Sequence, residues 1–184
     1  MPTDEKKKEL RRSIAHTKQQ HTAAALSALS SQLLSQLEES AAFIQAHTIL
    51  LYYSLPDEVR THEFVDKWCN RKNILLPVVV GNDLQLRQYK GKDTLQIGAY
   101  HIMEPIGPRW TDLHAIELSI IPGVGFDREK HRLGRGKGYY DRFLPHLSSY
   151  NIGICFSFQF QEHIPYEEFD ISMDEVWTEK GREA

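Results

Sequence analysis

Leu26, Leu29, Leu33, Leu34 and Leu37 recur at i, i+3, i+7, i+8 and i+11, which is one apolar stripe at helical spacing. Thr22 stands where an N-cap belongs and Ser40 lies near the far end, and the stripe reads as core packing rather than as a seam for a partner helix. Ahead of it, Lys6 to His16 consists of good helix formers with few apolar positions, so a half-solvated helix is expected. The pattern then changes. Thr48 to Ser54 is a continuous apolar run, as in a strand buried on both faces. A helix follows from about Thr61, with Phe64, Val65, Trp68 and Cys69 on one side. Asn73 to Val80 reads as a second strand, with Pro77 better placed near an end or edge.

Leu84 to Tyr89 alternates like a short strand, and Gly91 to Pro108 reads as loop. Ile116 to Pro122 is a strand running into Gly123-Val-Gly125, Tyr139 to Leu147 a helix, Ile152 to Phe156 a strand, and Glu175 to Trp177 a last short one. Strands alternating with helices at short spacing predict an α/β fold: one three-layer, Rossmann-like domain over residues 1–184, its mostly parallel central sheet flanked by helices. Ligands of such sheets bind beyond the carboxyl ends of the strands, which selects the loops after Ser54, Pro122 and Phe156.

At 184 residues with 41% hydrophobic content and a net charge of −3, the chain has the composition of a globular domain rather than of a disordered one. It has no apolar run long enough for a bilayer and no secretory leader pattern behind Met1, and Cys69 and Cys155 form no CxxC, so a cytoplasmic protein with free thiols is expected. Charge is unevenly spread: residues 128–142 hold six Lys/Arg against two acids, and this +4 leaves −7 elsewhere. A basic island in an acidic chain points to a compact anionic ligand rather than a long polyanion.

Pro122-Gly-Val-Gly-Phe-Asp127 leads into that island, which contains Arg132-Leu133-Gly134-Arg135-Gly136-Lys137-Gly138-Tyr139-Tyr140-Asp141. Alternate glycines let backbone amides turn toward a ligand, the interleaved cations add charge, and the loop feeds a helix start that favours anions. This is the physics of a polyphosphate cradle, although neither a Walker loop nor a dinucleotide fingerprint is present; a flexible basic surface loop or an RNA-touching segment is the competing reading. Asp141 is a candidate magnesium ligand beside the phosphates, with Asp174 as its candidate partner. Lys7 and Arg11 share a helix face and, on local pattern alone, read as a solvated basic surface. Glu58 fits a ligand contact as well as it fits an acid preceding the next helix. No HExxH, GxSxG or Cys/His arrangement marks a zinc site or a nucleophile.

The glycine–basic motif, together with Lys7-Lys-Glu-Leu-Arg11, Tyr53-Ser-Leu-Pro-Asp-Glu58 and Met173-Asp-Glu-Val176, resembles the 5-formyltetrahydrofolate cyclo-ligases over nearly the whole chain. The resemblance implies an ATP- and Mg²⁺-dependent ligase that makes 5,10-methenyltetrahydrofolate from 5-formyltetrahydrofolate and releases ADP and phosphate. It further implies ATP contacts at Lys7, Arg11 and Arg132 to Tyr140, folate contacts at Tyr53, Glu58 and Arg135 to Tyr139, and magnesium-associated acids at Asp141 and Asp174. Arg135 and Lys137 are the expected catalytic residues, stabilising the transferring phosphoryl. The family often carries a glycine between the positions of Asp127 and Arg132, where this chain has Arg128-Glu-Lys-His131, so a turn of different shape is expected. The partners implied are small molecules, with no nucleic acid or membrane and the chain acting as a monomer. The rival classes are a sugar-phosphate isomerase or CoA-transferase-like enzyme, which would not require ATP, and an RNA-binding module, against which the absence of a broad basic face counts.

Overall fold

In the computed structural model, which describes residues 2–184, the apolar runs become the centre of an eight-stranded sheet. Across the sheet the order is Gly181–Arg182, Glu175–Thr178, Tyr150–Ile154, Leu118–Pro122, Thr48–Leu50, Asn73–Val80, Asp83–Gln88 and Arg109–Trp110. The strands from Glu175–Thr178 through Asn73–Val80 are mutually parallel, and the edge strands pair antiparallel.

Side-chain alternation explains how both faces are covered. Ile49, Ile74, Leu76 and Ile120 join the Leu stripe of α2 (Ala23–Glu38), Phe43 of α3 (Ala41–Gln45) and Phe64 of α4 (His62–Trp68) in one core cluster. Their neighbours Leu50, Leu75 and Ile121 join Phe126 and Phe143 in another. A period of two therefore sends successive residues to opposite layers. The N-terminal helix α1 (Thr3–Lys18) buries only Ile14, which meets Leu133 and Ile164.

Several details depart from the sequence reading. The first strand ends at Leu50, because the chain beyond Tyr52 exchanges sheet pairing for side-chain bonds: the Thr61 hydroxyl donates to Tyr52 O at 2.5 Å and its N–H to Ser54 Oγ at 3.0 Å. Pro77 lies inside its strand, but pairing to Thr48–Leu50 stops at Leu75, so the missing N–H falls where that neighbour has ended. Thr22 caps α2 as expected, whereas Ser40 starts α3 by accepting from Phe43 N at 3.3 Å. The helix expected over 139–147 is α5 (Tyr139–Phe143) followed by a 3₁₀ turn, Leu144–His146, that contains Pro145. Gly91 to Pro108 is more ordered than a loop, holding a hairpin of Leu95–Ile97 and Met103–Pro105.

The strands Gly125–Asp127, Arg132–Leu133 and Phe160–Gln161 form a small separate sheet. It lies on the main sheet at Gly153, where a Cβ would stand 2.4 Å from the Phe126 ring, so only glycine admits that close approach. The turn between its first two strands puts Lys130 at φ 70, the left-handed region that glycine adopts freely. Among the described residues no helix is long and apolar enough to cross a membrane.

Candidate active site

Beyond the carboxyl ends of Thr48–Leu50 and Leu118–Pro122 lies a cavity of about 320 Å³. One wall is the Tyr53–Glu58 turn, a second is the glycine–basic loop, and a third is built by Pro77, Val79 and Leu84 with the 95–105 hairpin. The topology places the loops after Ser54 and Pro122 here, where the strand-end rule puts ligands.

The glycine loop leaves the small sheet at Leu133, whose side chain is fully buried against Ile14 and Ile164 and whose carbonyl accepts from Val124 N at 2.8 Å. Leu133 therefore anchors the loop and does not line the cavity, contrary to its expected place among the ATP contacts. After it the backbone is free of sheet pairing, and Gly136 and Gly138 take φ values of 103 and 75. These angles turn peptide groups in a way that side-chain-bearing residues rarely do. The helix that follows is too short for its dipole to contribute much, which leaves the loop amides and cations as the positive groups on this wall.

The cations are arranged around this loop. Arg132 is buried, donates from Nε to Pro122 O at 2.7 Å, lies 4.9 Å from the Tyr140 ring centroid, and has Asp141 at 3.6 Å. Burial pushes the Arg132 guanidinium pKa down and the Tyr140 phenol up, so both desolvated groups face the cleft. Arg135 pairs with Asp57 at 2.6 Å and with Glu58 at 3.3 Å, which ties the two walls together. Burial raises Asp57, but the bonds from Arg135 and Lys18 outweigh it and hold the carboxyl below its usual range. At Glu58 burial wins, and the pKa is raised despite the Leu55 N–H that donates at 2.9 Å and the Arg135 charge. Lys137 projects over the Tyr100 ring at 5.5 Å, and the Tyr100 and Tyr139 hydroxyls are 3.0 Å apart.

Tyr53, Glu58, Arg132, Gly134 to Tyr140 and Asp141 all line the cavity, so the structure brings these sequence candidates together. Arg11 joins them from α1, donating to Gly134 O at 2.6 Å. Lys7 lies one helical turn away and is paired with Asp170 at 3.1 Å. Asp174 is not brought to Asp141. Its carboxylate accepts from Asn151 N at 2.7 Å, at the amino end of strand Tyr150–Ile154 and level with Ser119. Asp141 is held through Arg132 at Pro122, three residues on, or about 10 Å along the strand at ~3.3 Å per residue. The two carboxylates are thus anchored at different levels of the sheet. Sequence reasoning missed Tyr100, Glu104 and the apolar wall at Pro77, Val79, Ile102 and Met103, and did not single out Asp57, which pairs with Arg135. Asp57 stood beside a named candidate, whereas the hairpin residues carried no motif.

The family model of the 5-formyltetrahydrofolate cyclo-ligases matches residues 3–179. The 5-formyltetrahydrofolate cyclo-ligase of Escherichia coli K12 is 32% identical over 145 residues, 73% of this chain and 79% of that protein. The solution structure of Aquifex aeolicus 5,10-methenyltetrahydrofolate synthetase superposes with a TM-score of 0.87 at 33% identity, covering 96% of this chain and 91% of that one. A 5,10-methenyltetrahydrofolate synthetase from Mycoplasma pneumoniae shares the fold, with a TM-score of 0.74 at 24% identity over 94% and 98% of the two chains. The match runs through α1, the acidic turn, the hairpin wall and the glycine–basic loop alike, and the chain belongs to the 5-formyltetrahydrofolate cyclo-ligase family.

Proposed function

We propose that this chain converts 5-formyltetrahydrofolate to 5,10-methenyltetrahydrofolate in the cytoplasm, using MgATP and releasing ADP and phosphate. The observation that carries this reading is a single cavity in which a glycine–basic loop suited to phosphates meets an apolar and carboxylate-bearing wall suited to a heterocycle. At about 320 Å³ it lies within the ordinary size range of small-molecule sites.

The formyl oxygen of an amide is a poor leaving group until it is phosphorylated. Transfer of the γ-phosphoryl to it, attack by the neighbouring N10 and loss of phosphate give the methenyl cation. Such transfers need in-line positioning and charge neutralisation more than a protein nucleophile. Arg132, Arg135, Lys137 and the amides of residues 134–138 supply positive charge on one side, with Arg11 steadying the loop through Gly134 O. Tyr53 and Glu58 face the folate side, Tyr53 being stacked on His62 at 3.8 Å between centroids.

Asp141 suits magnesium: its carboxylate lines the cavity and is half-exposed, and its nearest cation is Arg132 at 3.6 Å. Magnesium is commonly held by one or two carboxylates plus phosphate oxygens and water, so Asp141 without Asp174 is a sufficient protein contribution. When bound, the ion would neutralise phosphate charge during transfer.

The test is near-ultraviolet absorbance of purified protein with 5-formyltetrahydrofolate, with and without MgATP. Methenyl product appearing only with MgATP, mole for mole with ADP, is expected, and a folded protein that binds ATP yet forms no chromophore refutes the folate assignment. Lys137→Ala is expected to lower kcat at saturating MgATP by about 10²-fold or more, as for a lost transition-state contact. Wild-type turnover in that variant removes Lys137 from the chemistry.

A further inference from the structure

Lys18 ends α1 with no acid near it in sequence, since the chain carries none from Leu10 to Leu37. A cation in the last turn of a helix suits the helix dipole and by itself means nothing more. This side chain, however, is only 12% exposed, and its Nζ reaches Asp57 Oδ2 at 3.3 Å, 39 residues away. Lys18 also shares a helix face with Lys7 and Arg11, being seven residues beyond the second. The three meet three different segments: Lys7 pairs with Asp170, Arg11 donates to Gly134 O on the glycine loop, and Lys18 holds the acidic turn.

Asp57 divides its oxygens between two cations. Oδ2 takes Lys18, and Oδ1 takes Arg135 at 2.6 Å, whose guanidinium also lies 3.3 Å from Glu58 Oε1. The result is an alternating row, Lys18, Asp57, Arg135 and Glu58, with two charges of each sign. Burial alone would raise the Asp57 pKa, and the two cations together keep the carboxyl ionised. Were Arg135 to turn to a phosphate, an Asp57 with no other partner would be left as a half-buried charge beside an incoming anion, which opposes the exchange. Lys18 removes that obstacle because it stays in place. It does not line the cavity, so it has no phosphate of its own to meet. We propose that Lys18 is a positioning residue, the retained counter-ion of Asp57 that lets Arg135 leave the acidic turn for a phosphate of MgATP. The inference rests on the MgATP reading above and adds to it a residue outside the cavity.

Lys18→Met keeps most of the side-chain length and removes the charge. The readouts are equilibrium binding of MgATP to the full chain by titration calorimetry, and kcat/KM for MgATP at saturating 5-formyltetrahydrofolate. K18M is expected to lower both by about 3- to 10-fold, between the worth of an exposed ion pair and that of a charged hydrogen bond. K18R is expected to restore them. The double variant decides between positioning and structure. D57N removes the acid that Lys18 answers, so K18M/D57N is expected to match D57N alone, and D57N to bind MgATP no more weakly than the wild type. A merely structural role would make the two losses add. Unchanged MgATP affinity in K18M, or a K18M loss that persists in the D57N background, overturns the proposal. Should K18M not fold, D57N decides, and weaker MgATP binding than the wild type overturns it. A wild type that neither binds nor uses MgATP overturns both readings. A chain that binds MgATP with the expected pattern of variants but forms no methenyl product refutes the ligase reading and leaves Lys18 in its role.

Discussion

Removing the carboxylate of Asp127 tests how the glycine loop is held. Asp127 is fully buried at the end of strand Gly125–Asp127. It accepts from the N–H of Glu129 at 3.0 Å, of His131 at 2.9 Å and of Ile164 at 2.8 Å, and His131 Nδ1 lies 3.1 Å away. Asp127→Ala strands at least the His131 and Ile164 donors in the interior, and each orphaned group costs about 1–3 kcal/mol. The Glu129 amide lies closer to water, so a total near 4 kcal/mol is expected, within the range of about 3–5 kcal/mol for breaking buried charged networks. For a domain of this size that lowers Tm by about 8–16 °C. Asp127→Asn, which retains one acceptor, falls between the two. The assay is urea unfolding followed by far-ultraviolet circular dichroism, reading the midpoint at unchanged slope. A loss below about 1 kcal/mol for the alanine variant would show that the turn and Ile164 are held by packing, and the reasoning fails.

Lys130 sits at φ 70, so Lys130→Gly relieves a left-handed cost of about 1–2 kcal/mol, loses part of it to unfolded-chain entropy, and is expected to stabilise by about 0.5–1 kcal/mol in the same unfolding assay. Saturating MgATP at about 100 times its Kd adds roughly 2.7 kcal/mol, a rise in Tm of about 5–11 °C, and Arg132→Ala is expected to remove most of that rise in a thermal-shift titration. The folded-state pKa of Asp57 is depressed, so its contribution is present above the ordinary carboxylate value and is lost as pH falls through the lower folded one. Asp57→Asn is therefore expected to flatten the fall of unfolding free energy on the acid side of about pH 4, and an unchanged slope contradicts the Arg135 and Lys18 pairings.

The parallel centre of the sheet was legible because its strands are buried on both faces and so read as largely apolar runs; Leu118–Pro122 is buried at every position, with Ser119 its one polar side chain. The small sheet carrying Phe126 was not, since Gly125–Asp127 and Arg132–Leu133 are two to three residues long and show no alternation. Their stability is tertiary, coming from Phe126 over Gly153 and from the Asp127 network. The same division holds at the site. Glycines interleaved with cations are rare enough to carry chemistry in their order, so the loop at 132–141 stood out. Tyr100 and Glu104 reach the cavity wall on a hairpin of low sequence signal. Asp174 shows the converse: an acid can stand in a recognisable motif and still point its carboxylate at a backbone N–H, here that of Asn151.

Three cations of the site, Lys7, Arg132 and Arg135, lie beside the protein's own acids, and the pairings are unequal. Arg135 and Asp57 are 43% and 45% exposed, and an exposed pair of this kind is worth about 0–1 kcal/mol, so exchanging Asp57 for a phosphate oxygen costs little. Lys7 and Asp170 are more enclosed, at 16% and 18%, and their 3.1 Å bond has to open before Lys7 can meet a ligand. Arg132 is different again. Its side chain is 9% exposed, its Nε is fixed on Pro122 O, and its nearest carboxylate, 53% exposed, stands at 3.6 Å. A desolvated guanidinium with so distant a counter-charge gains most from an incoming phosphate, because nothing strong has to be given up. Arg135 instead couples the acidic turn to the loop through Asp57 and Glu58. On this inequality Arg132, rather than the more visible Arg135, is the residue whose loss is expected to erase protection by nucleotide.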